Sequence, residues 1–269
     1  MLNKKIFRYI ALVLGIIFYS CESNDSVKPI VTTPPSIDTN VKKIVLEFFT
    51  NSGCVPCVNA HALFNQMKDP NVNITTNDTN IYLVSIHVQY PFPPDSLYVA
   101  NAQQNSQRAT YYGVNFTPNA RLDGVNMGAF DAQLWTAEMN AELSQIVYTK
   151  ITLQNNYNTS SDSGTVTANV NVINPIPTND NVIHIYITQD SIYYPTAPNG
   201  IDWFDDVVRT MATGSAGEMI TLTNGNTTTF VKGYRILPAW KREHSFITVF
   251  VQSISTKAVY GAARIKVLP

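Results

Sequence analysis

The sequence predicts an α/β domain followed by an all-β sandwich domain. Up to about residue 147, strand-like apolar runs alternate with helical stretches. After residue 148 the helical signals nearly vanish, and alternating Thr- and Val-rich runs separated by turn clusters take over. A third observation is the motif Cys54-Val-Pro-Cys57, which stands between the first predicted strand and the first predicted helix.

The first 20 residues predict a lipoprotein signal peptide. Three basic residues precede an apolar stretch from Tyr9 to Tyr19, which is shorter than the ~20 residues needed to span a bilayer. The stretch ends at Ser20-Cys21 and resembles a bacterial lipobox, with cleavage before Cys21 and acylation of its sulfur. The alternative is an ordinary signal peptide with a stray cysteine. Residues 21–43 are rich in Ser, Thr, Pro, Asn and Asp and are predicted to be a flexible tether.

The α/β domain is predicted over residues 44–147. Its elements, in order, are a strand at 44–49, a helix at 54–67, a strand at 81–88, a helix from 95 or 96 to 112, a hairpin around Asp123-Gly124 and a helix at 131–147. Asp95 or Ser96, and Asp131, are suitable caps for the last two helices. This element order is that of a thioredoxin fold, with residues 89–112 as an insertion.

The sandwich domain is predicted over residues 148–269. Six alternating runs predict its strands: 149–153, 165–172, 182–188, 228–237, 246–252 and 259–267. Turn clusters at 160–164 and 224–226 separate some of them. Short strands at this spacing are typical of an antiparallel β-sandwich.

The chemistry of the Cys54–Cys57 motif follows from its place at a helix N-terminus. Unpaired N–H groups and the helix dipole favour a thiolate there, so Cys54 is the expected nucleophile and Cys57 the resolving thiol. Pro56 fits the first helical turn. Two alternatives remain open, namely half of a zinc site and an inert structural disulfide. The only other cysteine is Cys21, and His61 lies four residues after Cys57.

A second signal is Phe116-Thr117-Pro118, which precedes the predicted hairpin. In this element order it resembles the cis-proline loop of thioredoxin-like proteins, which presents backbone groups to an extended substrate. We therefore expect the substrate-binding surface to consist of five residues: Val55, Pro56, Phe116, Thr117 and Pro118. An ordinary trans turn proline is the alternative.

Glu47 lies seven residues before Cys54, in the first strand. A buried acid behind the dithiol would have a raised pKa and could take the proton from Cys57. The alternative is a strand acid that faces solvent.

Several short motifs resemble the twenty-eight-kilodalton outer-membrane-protein family of Gram-negative lipoproteins. In the first half they are Val45–Thr50, Cys54–Cys57, Tyr111–Pro118 and Leu122–Gly124; in the second half they are Asp206–Arg209, Thr213-Gly214, Val249–Gln252 and Ala258–Ala262. The resemblance implies a thioredoxin-like domain joined to an immunoglobulin-like sandwich, on a lipid anchor in the outer membrane of the cell envelope. It does not imply a substrate.

Two functions fit these observations. The first is a membrane-anchored thiol–disulfide oxidoreductase that acts on protein thiols or disulfides through Cys54 and Cys57. The second is a surface binding lipoprotein, in which the β-sandwich recognises the partner and the cysteine pair is structural. No cofactor or metal is expected. Without residues 1–20 the chain has 15 basic and 19 acidic residues, a net charge of −4, and it has no basic patch, so nucleic acid is excluded as a partner.

Overall fold

The computed structural model describes residues 41–68 and 79–268. Cys21, the predicted signal peptide and all but the last three residues of the predicted tether lie outside these residues. The described residues belong to one compact unit, whose fold is mixed α/β and mostly β. Within the described part of the chain, no helix is long and apolar enough to cross a membrane.

The strands reproduce the predicted runs with small changes at their ends, except that the strand predicted at 149–153 extends to Asn158. In chain order they are β1 Ile44–Thr50, β2 Ile81–His87, β3 Asn119–Leu122, β4 Val125–Asn126, β5 Thr149–Asn158, β6 Ser163–Val172, β7 Asn181–Gln189, β8 Ile192–Tyr193, β9 Trp203–Phe204, β10 Val207–Met211, β11 Glu218–Met219, β12 Thr227–Arg235, β13 Ser245–Ser253 and β14 Val259–Lys266. The sequence did not indicate the short strands β8, β9, β10 and β11.

The helices are α1 Cys57–Met67, α2 Ser96–Val99, α3 Ala102–Tyr112 and α4 Ala132–Leu143. The single helix predicted up to residue 112 is in fact two helices, because Asn101 adopts a non-helical conformation (φ −145°) and begins α3. Asp95 and Asp131 cap α2 and α4 as predicted, since their carboxylates accept backbone N–H groups. Helix α1 begins at Cys57 rather than Cys54, with Pro56 as its N-cap.

One large sheet organises the molecule. It has nine strands in the order β14-β13-β7-β10-β2-β1-β3-β4, with β11 also paired to β7. β1 is parallel to β2 and antiparallel to β3. β10 joins β2 through the pair Val207–Ser85, so strands from both sides of the predicted boundary after residue 147 share this sheet.

Side chains alternate between the two faces of this sheet and build three large apolar cores, and a smaller fourth core surrounds Phe204. On one face, β1, β2, β7, β13 and β14 contribute to a single core covered by α3, which includes Val45, Phe49 and Tyr112. On the other face, Leu46 and Phe48 of β1 pack against α1 and α4. Further along that same face, β7 and β13 pack against a three-stranded sheet of order β12-β6-β5. The C-terminal strands therefore form two layers with an apolar core between them.

Candidate functional site

The cysteine pair forms a disulfide at the N-terminus of α1. The two Cα atoms are 5.3 Å apart. Both residues are buried, with Cys54 1% and Cys57 0% exposed, and both belong to the core that contains Phe48 and Trp135. The backbone N–H of Cys57 donates to Cys54 Sγ at 3.2 Å. A hydrogen bond of this kind favours negative charge on the Cys54 sulfur once the disulfide is reduced.

The turn before Cys54 is held by buried polar contacts. The Asn51 amide donates to the carbonyls of Val88 (2.6 Å) and Phe92 (3.0 Å). The Ser52 N–H donates to Asp95 Oδ2 at 2.9 Å, and the Ser52 carbonyl accepts from the Asn199 N–H at 2.9 Å. The segment after β2 and a loop of the C-terminal half thus fix the position of the turn.

Two histidines lie beside this turn. His87 Nδ1 is 2.6 Å from Asp95 Oδ2, and both side chains are fully buried. His61 Nε2 is 3.3 Å from Thr50 Oγ1. Burial, together with the neighbouring His87, lowers the pKa of His61 to about 3, so its imidazole is neutral at ordinary pH. His61 lines a cavity of about 170 Å³ between α1 and the segment that contains Trp203.

The predicted substrate-binding residues lie near the same end of the sheet. β3 begins at Asn119, which pairs with Phe49 near the end of β1, and the Thr117–Pro118 bond that precedes it is cis, as predicted. Val55 is 68% exposed and Phe116 is 46% exposed, while Pro118 is buried. Pro56 is also exposed and Thr117 is half-buried. Exposed apolar side chains and a buried disulfide therefore occur at one end of the sheet.

The structure does not bring Glu47 to the cysteines. Because Phe48 faces α1, its neighbour Glu47 points to the opposite face of the sheet, where it is fully buried. Its carboxylate accepts from Arg108 Nε (2.7 Å), Arg108 Nη2 (2.8 Å) and the Tyr112 hydroxyl (2.6 Å). Both expectations for this residue, a proton acceptor for Cys57 and a solvent-facing acid, are corrected by these contacts.

Sequence reasoning missed the polar cluster around Arg108. Arg108 Nη2 also donates to Gln252 Oε1 at 2.8 Å, and the Tyr186 hydroxyl lies 3.5 Å from Glu47 Oε1. The only local signal was the spacing of Arg108 and Tyr112, which places them on one helical face. The other partners lie far away in the sequence.

No group of three or more His, Cys, Asp and Glu side chains among the described residues is arranged to hold a metal ion.

Cys21 lies outside those residues, and its lipidation stays a prediction.

Comparison with known proteins adds a family and a fold. Residues 105–268 match the family described as outer membrane protein Omp28. HBP35 of Porphyromonas gingivalis superposes with a TM-score of 0.69 over 84% of this chain and 76% of that chain, at 15% identity, which shows a shared fold. A domain of the outer membrane lipoprotein Omp28 from Porphyromonas gingivalis is 18% identical over 46% of this chain and 90% of that chain, with a TM-score of 0.33. None of the curated proteins matches the chain.

Proposed function

The chain belongs to the Omp28 family of outer membrane proteins, which places it at the outer membrane of the cell envelope, and we propose that it acts there as a binding lipoprotein. In this proposal the C-terminal β layers form the recognition module. The Cys54–Cys57 disulfide is a structural link at the start of α1. The lipid on Cys21 is the anchor.

The observation that carries this proposal is the burial of the disulfide. Thiol–disulfide exchange requires one sulfur to attack another along an open path. Here both cysteines are almost completely shielded and lie inside an apolar core. The carboxylate expected to accept a proton is paired with Arg108 on the other face of the sheet. The site as folded is therefore better suited to holding α1 in place than to exchanging disulfides.

We also propose a finer description of the fold. The order β2-β1-β3-β4, with β1 parallel to β2 and antiparallel to β3, supports a thioredoxin-like arrangement of residues 44–147. The two β layers of the C-terminal half support an immunoglobulin-like sandwich. Neither arrangement by itself determines what the protein does.

Thiol–disulfide exchange is the second candidate. Two observations favour it: the N–H of Cys57 faces Cys54 Sγ, and exposed Val55 and Phe116 occur at the same end of the sheet. The Cys54 thiolate would attack a client disulfide, breaking the client S–S bond, forming a mixed disulfide and releasing one client thiolate. The Cys57 thiolate would then attack Cys54 Sγ and release the second client thiolate. Two electrons would pass to the client as Cys54–Cys57 is re-formed.

A trapping experiment separates the two candidates. Cys57→Ser leaves Cys54 able to attack but removes the resolving thiol, and Cys54→Ser is the matched control. The binding proposal expects no more mixed disulfides with envelope proteins from Cys57→Ser than from the control. It also expects each variant to lose about 2 kcal/mol of stability, as estimated for breaking a short disulfide loop. Abundant adducts specific to Cys57→Ser would overturn it in favour of exchange.

A further inference from the structure

A second cavity lies away from the cysteines, between α3 and the turn that follows β10. Its volume is about 590 Å³, which is within the range of small-ligand sites. Gln103, Gln104, Gln107 and Tyr111 line it from α3, and residues 213–216 line it from the turn. None of these side chains carries a charge at neutral pH.

The two walls of the cavity are tied together. Gln104 Oε1 accepts from the Met211 N–H at 2.8 Å, and Gln104 Nε2 donates to the Met211 carbonyl at 3.0 Å. The Thr213 hydroxyl accepts from the Ile185 N–H at 3.0 Å. Gly214 closes the turn with φ +73°, and its N–H donates to the Met211 carbonyl at 2.8 Å. The cavity is thus preformed, so a ligand would not need to order its walls.

Hydrogen-bonding groups remain available on the α3 side. Gln107 Oε1 accepts from the Ser215 hydroxyl at 2.7 Å, which leaves the NH₂ group of Gln107 without a partner among the described residues. The Gln103 side chain is exposed, and the described part of the chain offers it no partner. An amide supplies both donors and an acceptor. The half-buried ring of Tyr111 adds an apolar wall.

No charged side chain of the described residues lines the cavity, although two cations, Arg108 and Lys257, lie against the ring of Tyr111. Arg108 lies behind it, with Nη1 3.5 Å from the Ser215 carbonyl, but its guanidinium is paired with Glu47. An ionic ligand would find no opposite charge in the lining, and its desolvation would not be compensated. A neutral ligand whose hydroxyl groups both donate and accept hydrogen bonds matches the amides, and its C–H surfaces match Tyr111.

We propose that this cavity binds a neutral, hydroxyl-rich ligand of the saccharide class. The inference rests on the proposed binding function and names the ligand class for one surface of the protein. It concerns residues of α3 and of the turn after β10, and it does not depend on the state of the Cys54–Cys57 disulfide.

The test is NMR of the full chain labelled with ¹⁵N-glutamine, titrated with maltose, lactose and N-acetylglucosamine. At least one sugar is expected to shift the side-chain NH₂ signals of Gln103 and Gln107 saturably, in the millimolar range. Gluconate tests the charge argument, and N-methylacetamide tests a peptide-like ligand. Both are expected to bind at least about tenfold more weakly, corresponding to about 1.4 kcal/mol.

Two variants and a control complete the design. Gln107→Ala and Gln103→Ala should each weaken sugar binding severalfold, and Gln103→Ala removes no hydrogen bond to the described residues. Gln133→Ala on α4, also exposed, should leave binding unchanged. The proposal is overturned if no sugar gives a saturable shift, if gluconate binds equally well, or if binding survives both variants. Since the cysteine trapping experiment does not involve this cavity, such a failure would leave the wider binding function standing.

Discussion

At the scale of single residues, the buried pair Glu47–Arg108 is expected to have a large effect on stability. Both side chains are buried and joined by two short hydrogen bonds, so removing either one leaves a charge without its partner. We predict that Arg108→Met lowers the free energy of unfolding by about 3–5 kcal/mol. Urea denaturation measures this.

The double variant Glu47→Leu/Arg108→Met provides the matched control. It removes both charges, so it should recover a substantial part of the loss seen in Arg108→Met alone. If Arg108→Met lowers the free energy of unfolding by less than about 1 kcal/mol, the Glu47–Arg108 pair contributes no more than an exposed ion pair, and the prediction is wrong.

Asp123 gives a second prediction at this scale, through pH. Its Oδ1 accepts from the Val45 N–H at 2.9 Å, and Lys42 Nζ is 3.0 Å from Oδ2. Burial nevertheless raises the pKa of Asp123 from 3.8 to about 7. The folded protein therefore holds the proton more tightly than the unfolded chain does. Stability from Asp123 is fully present below pH 3.8 and is lost as the pH rises through about 7.

Asp123→Asn should make the stability of the protein less dependent on pH. Asparagine keeps an acceptor for the Val45 N–H, and Lys42 keeps its contact with Glu142. Thermal unfolding of the wild type and Asp123→Asn between pH 4 and pH 8 (roughly the window set by the two pKa values) measures the difference. Parallel stability curves for the two proteins would show that Asp123 does not titrate in this window.

At the scale of elements, the turn between β1 and α1 depends on a glycine. A Cβ atom on Gly53 would lie 2.3 Å from the Cβ of Phe92. Gly53→Ala should therefore push the two segments apart, lower stability by about 1–3 kcal/mol and speed the reduction of Cys54–Cys57 by dithiothreitol. Gly233→Ala in β12 is the control, because its Cβ would meet only the Gly164 carbonyl, at 3.9 Å. Equal melting temperatures and equal rates of disulfide reduction in the two variants would contradict the prediction.

Elements with a strong local pattern could be predicted from the sequence. β1 and β2 are mostly apolar runs, and the caps Asp95 and Asp131 are polar residues that accept the N–H groups of the following turn. The short strands β8 to β11 lack a period long enough to detect, and their pairing depends on neighbours far along the chain. The pairing of Arg108 with Glu47 could not be predicted for the same reason. Nothing near Glu47 in sequence indicates that its partner lies 61 residues away.

At the scale of the whole molecule, the sheet joins the two halves of the chain. β2 pairs with β10, and one core contains Val45 and Phe49 from the first half with Tyr186 and Phe250 from the second. We predict one cooperative unfolding transition for the full chain, with coincident circular dichroism and tryptophan fluorescence curves. Two separate transitions would instead support the independent domains that the sequence suggested on either side of residue 147.

The position of β10 has a consequence for how the protein is made. β10 lies between β2 and β7, so the middle of the sheet cannot close until the chain up to residue 211 is available to pair. Until then β2, whose seven residues all become buried, presents an open edge. The chain is therefore most vulnerable to aggregation while the more than one hundred residues between β2 and β10 are still being added. A chaperone that shields that edge before the chain is complete would matter more for the yield of this protein than one that acts on the finished fold.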